Sequence, residues 1–129
     1  MTAPIGLGTD LIEVARIAGA IERHGDRFLE RCFTQIERAE AERSGPVRAG
    51  ERYAARFAAK EAVLKALGTG WARGIAWTDV RIESDAAGAP GVGLAGRARE
   101  IAIDRGIRSW LLSMTHTAQL ASATAIALG

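Results

Sequence analysis

The chain has 129 residues, which is the length of one domain with a hydrophobic core of its own. Apolar residues make up 48% of the sequence and charged residues 25%, a composition that excludes a disordered or collagen-like chain. The 17 lysines and arginines barely outnumber the 15 acidic residues, so the basic bias is weak. We therefore expect a single domain over residues 1–129.

The first part of the chain predicts a strand and then helices. Residues 4–12 alternate as a strand does. One face of this strand would carry Gly6, Gly8, Asp10 and Ile12. Residues 14–32 then follow a helical pattern that breaks near Gly25.

Capping signals delimit two further helices. Thr34 and Glu37 form a capping-box signature, which predicts the start of a short helix. Pro46 suits the first turn of a helix and Gly68 suits its C-terminal cap, so residues 47–67 are predicted to form the longest helix.

The second half of the chain predicts mostly strands. A glycine-rich loop over residues 68–74 comes first. The remaining predicted elements are strands over 77–84 and 92–94, a helix over 97–105, and strands over 109–115 and 120–128. The order β-α(αα)-β-β-α-β-β predicts the α+β class, with helices packed on a mainly antiparallel sheet in a ferredoxin-like arrangement.

Three features bear on location. The single Cys32 can form no intrachain disulfide, and we expect it to pack inside a protein of a reducing compartment, the cytoplasm. The N-terminus lacks the basic start and long apolar stretch of a signal peptide. No Asp, Glu, Lys or Arg follows Arg108, but repeated Ser and Thr residues interrupt this segment, which predicts a terminal hairpin rather than a membrane span.

Asp10 is a carboxylate within an otherwise apolar strand. Burying it is costly unless a cation or hydrogen-bond donors meet it. Gly6 and Gly8, on the same face, leave room for another group or a backbone to approach. In the alternative interpretation Asp10 ends the strand and caps the following helix. The residues alone leave both interpretations open.

Charges are sparse in the second half of the long predicted helix. Lys60, Glu61 and Lys65 are the only charged residues from 57 to 67, and the chain has no other lysine. Helical spacing places Lys60 in an apolar seam, whereas Glu61 and Lys65 project together from a neighbouring flank. Charges in this setting either meet a ligand or form an i,i+4 surface pair between Glu61 and Lys65.

The run Ser113-Met114-Thr115-His116-Thr117 is a weaker signal. Its hydroxyl groups and His116 suit the binding of phosphate or the polarisation of a reacting group. Hydroxyl-rich strands that end in a structural histidine are an equally ordinary alternative.

A basic helical surface, which we call the arginine face, consists of Arg16, Arg27, Phe28 and Arg31. Such a surface can dock an acidic partner. Glu22, Asp26 and Glu30 recur beside it, so a solvated, self-paired surface is the alternative. The interleaved acids also argue against nucleic-acid binding, which needs uncompensated positive charge.

Three segments together resemble the small bacterial 4'-phosphopantetheinyl transferases, the holo-[acyl-carrier-protein] synthase family. The first segment is Gly6-Leu7-Gly8-Thr9-Asp10-Leu11, followed by Glu13 and Arg16. The second is Arg56-Phe57-Ala58-Ala59-Lys60-Glu61-Ala62, followed by Lys65 and Gly68-Thr69-Gly70. The third is the run from Ser113 to Thr117, so the resemblance extends over nearly the whole chain.

The resemblance implies transfer of 4'-phosphopantetheine from coenzyme A to a serine of apo-acyl carrier protein, in support of fatty acid biosynthesis. Adenosine 3',5'-bisphosphate would be released and Mg²⁺ would be required. Asp10, Glu61 and Lys65 would be the catalytic residues, and Asp10 and Glu61 would bind the Mg²⁺. Lys65 would neutralise the leaving oxygen, and either Glu61 or a metal-bound water would take the serine proton. The residues expected to contact coenzyme A are Lys60, Lys65, Gly68, Thr69, Gly70, His116 and Thr117.

The resemblance further implies a homotrimer with active sites at the boundaries between protomers. The arginine face would then dock the acidic recognition helix of acyl carrier protein, and neither nucleic acid nor a membrane is expected as a partner. The alternative is a non-catalytic ferredoxin-like binding or regulatory module, whose properties would not depend on a divalent metal. An arginine-rich nucleic-acid binder is a third interpretation, and it predicts affinity that falls steeply with salt.

Overall fold

The computed structural model describes residues 2–71 and 74–129, and in these residues the helices and strands follow the predicted order. The strands are β1 (Pro4–Glu13), β2 (Val80–Ser84), β3 (Pro90–Leu94), β4 (Ser109–His116) and β5 (Leu120–Leu128). The α-helices are α1 (Val14–His24), α2 (Asp26–Cys32), α3 (Gln35–Glu42), α4 (Pro46–Leu67) and α5 (Gly96–Asp104). Ala72 and Arg73 of the predicted glycine-rich loop lie outside the described residues.

The strands form two antiparallel sheets. One has the strand order β1-β5-β4, and the other pairs β2 with β3. The predicted α+β class with antiparallel pairing is confirmed, but the strands divide between two sheets instead of continuing through one. The long helix α4 packs on the inner face of the three-stranded sheet and supplies much of the buried core.

Glycines allow α4 to approach β1 very closely. A Cβ atom at Gly8 would lie 1.9 Å from the carbonyl oxygen of Ala62, and one at Gly6 would lie 2.2 Å from that of Ala66. The group that approaches these glycines is therefore the backbone of α4. The neighbouring strand β5 presents only small side chains to the same helix, from the buried Ala121, Ala123, Ala125 and Ala127. This close packing brings Asp10 within reach of side chains on α4.

The predicted boundaries follow the local capping groups. Gly25, with φ of +54°, separates α1 from α2, and Gly68, with φ of +80°, ends α4 in the left-handed conformation. Both hydrogen bonds of the predicted capping box are present: the N–H of Thr34 donates to Glu37 Oε1 at 2.7 Å, and the N–H of Glu37 donates to Thr34 Oγ1 at 3.2 Å. These four positions confirm the sequence prediction for the helices.

One predicted strand begins later than expected. Trp77–Asp79 forms a turn of 3-10 helix, and β2 starts only at Val80. The turn is held because the carboxylate of Asp79 accepts the N–H of Ala76 at 3.1 Å, while the N–H of Asp79 donates to the Ala76 carbonyl at 3.0 Å.

The outer face of the three-stranded sheet is apolar and exposed. Leu7 and Leu11 of β1 are 67% and 66% exposed, and Leu111 of β4 is 55% exposed. Leu7 and Leu111 are both register partners of Ile126 in β5, so they form one surface, which we call the outer sheet face. A sheet with one covered face normally presents polar residues to water on the other, so this surface is suited to contact with another protein surface.

Across the described residues, none of the helices combines the length and apolarity needed to cross a bilayer.

Candidate active site

Asp10 and Lys65 meet between β1 and α4. Lys65 Nζ lies 3.1 Å from Asp10 Oδ1 and donates to the Thr9 carbonyl at 2.9 Å. The Asp10 side chain is only 17% exposed, whereas that of Lys65 is 54% exposed. Asp10 lies within β1, and the N-cap residue of α1 is Glu13. The interpretation of Asp10 as a helix cap is therefore wrong.

Glu61 lies beside this pair without forming the i,i+4 surface bridge. Burial raises the pKa of the Glu61 carboxyl, the negative charge of Asp10 raises it further, and Trp71, Lys65 and Arg16 oppose the shift. In the described part of the chain Lys65 pairs with Asp10 and makes no ion pair with Glu61. The site thus contains two neighbouring carboxylates and a lysine, with Arg16 close enough to oppose the rise in the pKa of Glu61.

The Trp71 indole borders the Glu61 carboxylate. Its N–H helps to lower the pKa of Glu61, but it is buried and forms no hydrogen bond of standard geometry with the described residues. The Trp71 ring packs against that of Trp77 with centroids 3.6 Å apart. The Trp71 indole, packed on Trp77, therefore borders one side of Glu61.

The two carboxylates fit a hard divalent cation. Asp10 destabilises the charged form of Glu61, and a bound cation would relieve this repulsion. In residues 2–71 and 74–129 no cluster of three or more His, Cys, Asp or Glu side chains could enclose a metal. Mg²⁺ does not need one, since it commonly binds one or two carboxylates and completes its shell with water and substrate phosphates. The donor set therefore suits Mg²⁺ in the company of a phosphate substrate.

Lys60 lies in the core and does not point toward the exposed part of the candidate site. Its side chain is 0% exposed, and Nζ lies 2.9 Å from Glu37 Oε1 and donates to the Trp77 carbonyl at 3.0 Å. The predicted apolar seam is confirmed. The expected contact between Lys60 and coenzyme A is corrected, because a fully buried ammonium group that binds protein oxygens is not available to a ligand.

The segment Gly68-Thr69-Gly70 follows Lys65 by about one helical turn. Thr69 Oγ1 donates to the Gly70 carbonyl at 2.9 Å, and the Arg105 guanidinium donates to the carbonyl of Leu67. Arg105 thereby anchors the end of α4, and the loop backbone lies at the same end of the helix as Lys65.

His116 and Thr117 lie at the opposite end of α4. His116 Nδ1 is 3.0 Å from Oε1 of Glu51, which precedes Glu61 by ten residues, or about 15 Å along the helix. Thr117 Oγ1 accepts the N–H groups of Gln119 and Leu120 at 3.2 and 3.1 Å and so closes the turn between β4 and β5. One chain therefore does not bring these two residues to Asp10 and Glu61.

The arginine face is exposed and is not neutralised by its neighbours. Arg27, Phe28 and Arg31 line a groove of about 320 Å³ together with His24. Asp26 pairs with Arg38 at 3.1 Å instead. Among the residues that the structure describes, Arg16, Arg27 and Arg31 make no ion pair with Glu22, Asp26 or Glu30. The self-paired alternative is not what the structure adopts.

A second polar cavity, which we call the hairpin cavity, was not predicted. It has a volume of about 280 Å³ and is lined by Glu40, Arg43, Arg52, Arg56, Ser84, Asp85, Ala86 and Gly88. The Nε atoms of Arg52 and Arg56 are buried and have no hydrogen-bond partner in the described residues. Guanidinium groups in such a cavity suit phosphate oxygens. The i,i+4 spacing of Arg52 and Arg56 was the one signal in the sequence, since the other lining residues come from distant segments.

Comparison with known proteins identifies the family of this chain. The profile of the 4'-phosphopantetheinyl transferase superfamily, ACPS, matches residues 6–122. The holo-[acyl-carrier-protein] synthase of Desulforudis audaxviator is 50% identical over 127 residues, which are 97% of this chain and 93% of that protein. The chain belongs to the holo-[acyl-carrier-protein] synthase family. The family resemblance inferred from the motifs, and with it the enzyme class of 4'-phosphopantetheinyl transferase, is confirmed.

Solved structures of synthases from this family share the fold. The Neisseria meningitidis synthase superimposes with a TM-score of 0.84 at 32% identity, covering 97% of this chain and 98% of that one. The Bacillus anthracis synthase, in complex with CoA (3',5'-ADP), gives a TM-score of 0.79 at 31% identity and covers 98% and 97%. The α+β fold of this chain is therefore shared by both of these synthases.

Proposed function

We propose that this synthase transfers the 4'-phosphopantetheine group of coenzyme A to a serine of apo-acyl carrier protein and releases adenosine 3',5'-bisphosphate. The observation that carries the proposal is the meeting of Asp10, Glu61 and Lys65 between β1 and α4 in a chain of this family. The complex of the Bacillus anthracis synthase with CoA (3',5'-ADP) supports coenzyme A as the donor.

Asp10 and Glu61 are the residues proposed to hold Mg²⁺. Their carboxylates come from two elements that the glycines of β1 bring into close contact, so the spacing between them is fixed by the packing of the core. When bound, Mg²⁺ stabilises negative charge that develops on the pyrophosphate oxygens of the donor.

In the proposed transfer, the serine oxygen of the carrier forms a bond to the phosphorus next to pantetheine. The bond from that phosphorus to the oxygen of the departing adenosine 3',5'-bisphosphate breaks. The proton of the serine hydroxyl passes to Glu61 or to a water held beside it. Lys65, with its ammonium group half exposed next to Asp10, donates a hydrogen bond to the departing oxygen.

The nucleotide part of coenzyme A is proposed to bind along α4. Gly68, Thr69 and Gly70 offer backbone groups near Lys65. Because Gly68 and Gly70 have no side chains, the nucleotide can approach this backbone closely. The arginines of the hairpin cavity supply positive charge further along the helix. Glu51 anchors His116 beside the N-terminal half of α4, and His116 and Thr117 are proposed to contact the phosphate end of the nucleotide.

A homotrimer with active sites between protomers is the proposed assembly. The family resemblance suggests the trimer, and the exposed leucines of the outer sheet face supply a surface for it. The separation of His116 from Asp10 and Glu61 within one chain supports sites built from two protomers, because residues from adjacent chains can then meet.

The proposed protein partner, acyl carrier protein, would dock on the arginine face through its acidic helix. Arg27 and Arg31 border a groove and are free of intramolecular ion pairs among the described residues, so their charge is available to a partner. A role in fatty acid biosynthesis and a cytoplasmic location belong to the same proposal, and the unpaired, buried Cys32 supports the latter.

Mass spectrometry of apo-acyl carrier protein tests the function directly. Incubation with the purified chain, coenzyme A and Mg²⁺ is expected to add one phosphopantetheine group to the carrier, and the addition should stop when the metal is chelated. Asp10→Ala and Glu61→Ala are each expected to abolish it, since Mg²⁺ has few protein ligands to lose. Asp104→Ala, an exposed carboxylate on α5, is the matched control and should transfer normally. Absence of the adduct with several carriers would contradict the proposal.

A further inference from the structure

Two carboxylates of α3 lie along one edge of β2. Glu37 Oε2 accepts the N–H of Ile82 at 2.6 Å, and the two oxygens of Glu40 accept the N–H of Ser84 at 3.0 and 3.4 Å. Ile82 and Ser84 are two residues apart, so their N–H groups point to the same edge of the strand. Since β3 pairs with the other edge, the side chains of α3 provide the acceptors that a third strand would otherwise provide.

Both carboxylates are paired with cations of α4. Lys60 Nζ lies 2.9 Å from Glu37 Oε1 with both side chains 0% exposed. Arg56 Nη2 lies 3.1 Å from Glu40 Oε2, and these side chains are 8% and 10% exposed. A buried ion pair stabilises a fold little compared with apolar residues of the same volume. The arrangement is better suited to fixing one geometry than to adding stability.

This geometry determines the shape of the hairpin cavity. Glu40 and Arg56 line the cavity from one side, and Ser84, Asp85, Ala86 and Gly88 of the β2–β3 hairpin line it from the other. A two-stranded hairpin alone is marginally stable in water, so its position depends on what holds its free edge. Glu40 both lines the cavity and bonds to the hairpin, whereas Glu37 and Lys60 act on the hairpin from outside the cavity.

We propose that Glu37 and Glu40, neutralised by Lys60 and Arg56, are positioning residues that hold the β2–β3 hairpin so that the hairpin cavity can bind the nucleotide part of coenzyme A. This inference rests on the proposed function, because it takes the nucleotide as the ligand of the cavity. It gives Lys60 a role through Glu37 and the hairpin without any contact to the donor.

Glu40→Ala distinguishes a role of Glu40 in positioning the hairpin from a direct effect of its charge on nucleotide binding. Loss of an acid from a cavity that binds a bisphosphate should strengthen binding if Glu40 acts through its charge alone. If Glu40 positions the hairpin, the dissociation constant for adenosine 3',5'-bisphosphate should instead rise about tenfold, because the Ser84 N–H loses its buried acceptor. Glu40→Gln keeps an oxygen for that N–H and should restore most of the affinity. The measurement is calorimetric titration with adenosine 3',5'-bisphosphate.

The double variant Glu37→Leu with Lys60→Met removes the buried pair outside the cavity and leaves no isolated charge. It should weaken nucleotide binding and raise KM for coenzyme A, with KM for the carrier unchanged. The Ile82 amide should also exchange its hydrogen faster, whereas the Arg81 and Glu83 amides, on the β3 side of β2, should change less. Glu42→Gln, a carboxylate of α3 that accepts from Tyr53 instead, is the matched control and should bind nucleotide normally.

The inference is overturned if Glu40→Ala binds the bisphosphate as tightly as the unaltered chain or more tightly. It is also overturned if Ile82 exchange is unchanged in the double variant. Failure of the unaltered chain to bind the bisphosphate would contradict the proposed function and the inference together, whereas normal binding with insensitive variants would overturn the inference alone.

Discussion

At Glu61, burial and the charge of Asp10 act in the same direction, and both raise the pKa of the carboxyl group. A carboxyl group whose pKa is higher in the folded chain than in the unfolded chain destabilises the fold wherever it is ionised. This destabilisation is absent below the ordinary pKa of 4.5 and develops as pH rises through the folded value. The proposed metal ligand therefore weakens the metal-free fold at neutral pH.

Glu61→Gln is expected to raise the thermal unfolding temperature of the metal-free chain at pH 7. The neutral amide avoids both the burial of a charge and repulsion by Asp10. The difference from the unaltered chain should disappear near pH 4, where Glu61 is protonated. Thermal unfolding at the two pH values, with Glu22→Gln as an exposed control, measures the effect. An unfolding temperature at pH 7 equal to or below that of the unaltered chain would contradict this electrostatic account.

The sequence singled out the candidate site residues, but it did not predict which side chains they contact. Asp10 and Glu61 stood out because charges are rare in their apolar surroundings, and that signal is local. The partner of Lys65 could not be predicted, since Asp10 is 55 residues away and meets it only through the packing of β1 on α4. The sequence did not predict the burial of Glu37, because the capping box already explained an acidic residue at that position. The fully buried Lys60 has its ion-pair partner in that same carboxylate.

Among the elements, β1 and α4 form the contact on which the candidate site depends. A Cβ atom added at Gly8 would lie only 1.9 Å from a backbone oxygen of α4. A backbone oxygen cannot rotate away as a side chain can. Any larger residue must separate the strand from the helix, and the separation would move Asp10 away from Lys65.

Gly8→Ala is expected to destabilise the fold by about 1–3 kcal/mol, the usual effect of overpacking a core. Transfer activity per folded molecule should also fall, because the two carboxylates would lose their spacing. Gly50→Ala is the matched control: its Cβ would lie 3.8 Å from the nearest atom, and alanine favours a helix by about 0.8–1.0 kcal/mol over glycine. Urea unfolding of both variants measures the change, and a Gly8→Ala protein as stable as the unaltered chain would refute the tight contact.

The order of elements could be predicted because caps, glycines and hydrophobic periodicity are local signals. The division of the strands into two sheets could not, since it depends on contacts between distant residues. The free edge of β2 shows this clearly: its acceptors are the side chains of Glu37 and Glu40, some 45 and 44 residues earlier in the chain. Strand periodicity contains no information about such a partner.

At the scale of the whole molecule, the outer sheet face leaves several leucines in water. The central β5 places Ile126 between Leu7 and Leu111, so one end of this face is apolar across all three strands. Thr124 lies between Thr9 and Ser113, so hydroxyl groups follow the apolar end. Association through this face would bury the leucines and would also place chains side by side, as sites shared between protomers require.

Leu7→Lys combined with Leu111→Lys is expected to convert the proposed trimer into monomers, because both lysines would be buried at the proposed interface without partners. Transfer should be lost together with the trimer if the active sites lie between protomers. Val47→Lys is the control, since Val47 is 91% exposed and lies on α4 outside this face. Sedimentation velocity gives the masses. A monomeric unaltered chain, or a variant that stays trimeric, would contradict the assembly.

The arginine face is the proposed docking surface for the carrier. Arg27→Glu combined with Arg31→Glu is expected to raise KM for apo-acyl carrier protein about tenfold, because reversed charges oppose docking of an acidic helix. KM for coenzyme A should stay unchanged, since neither residue lies in the hairpin cavity or beside Asp10 and Lys65.

Arg16 is left out of this variant, because it lies close enough to Glu61 to affect its pKa and its reversal would also disturb the candidate site. Arg99→Glu, at an exposed position on α5, reverses one positive charge away from the groove and should behave normally. For the unaltered chain, KM for the carrier should rise with salt, since exposed charges are screened over about 10 Å at 0.1 M ionic strength. The double variant should have lost most of this salt dependence. Steady-state kinetics at two salt concentrations distinguish the cases, and a carrier KM that the charge reversal leaves unchanged would exclude the arginine face as the docking surface even if transfer itself is observed.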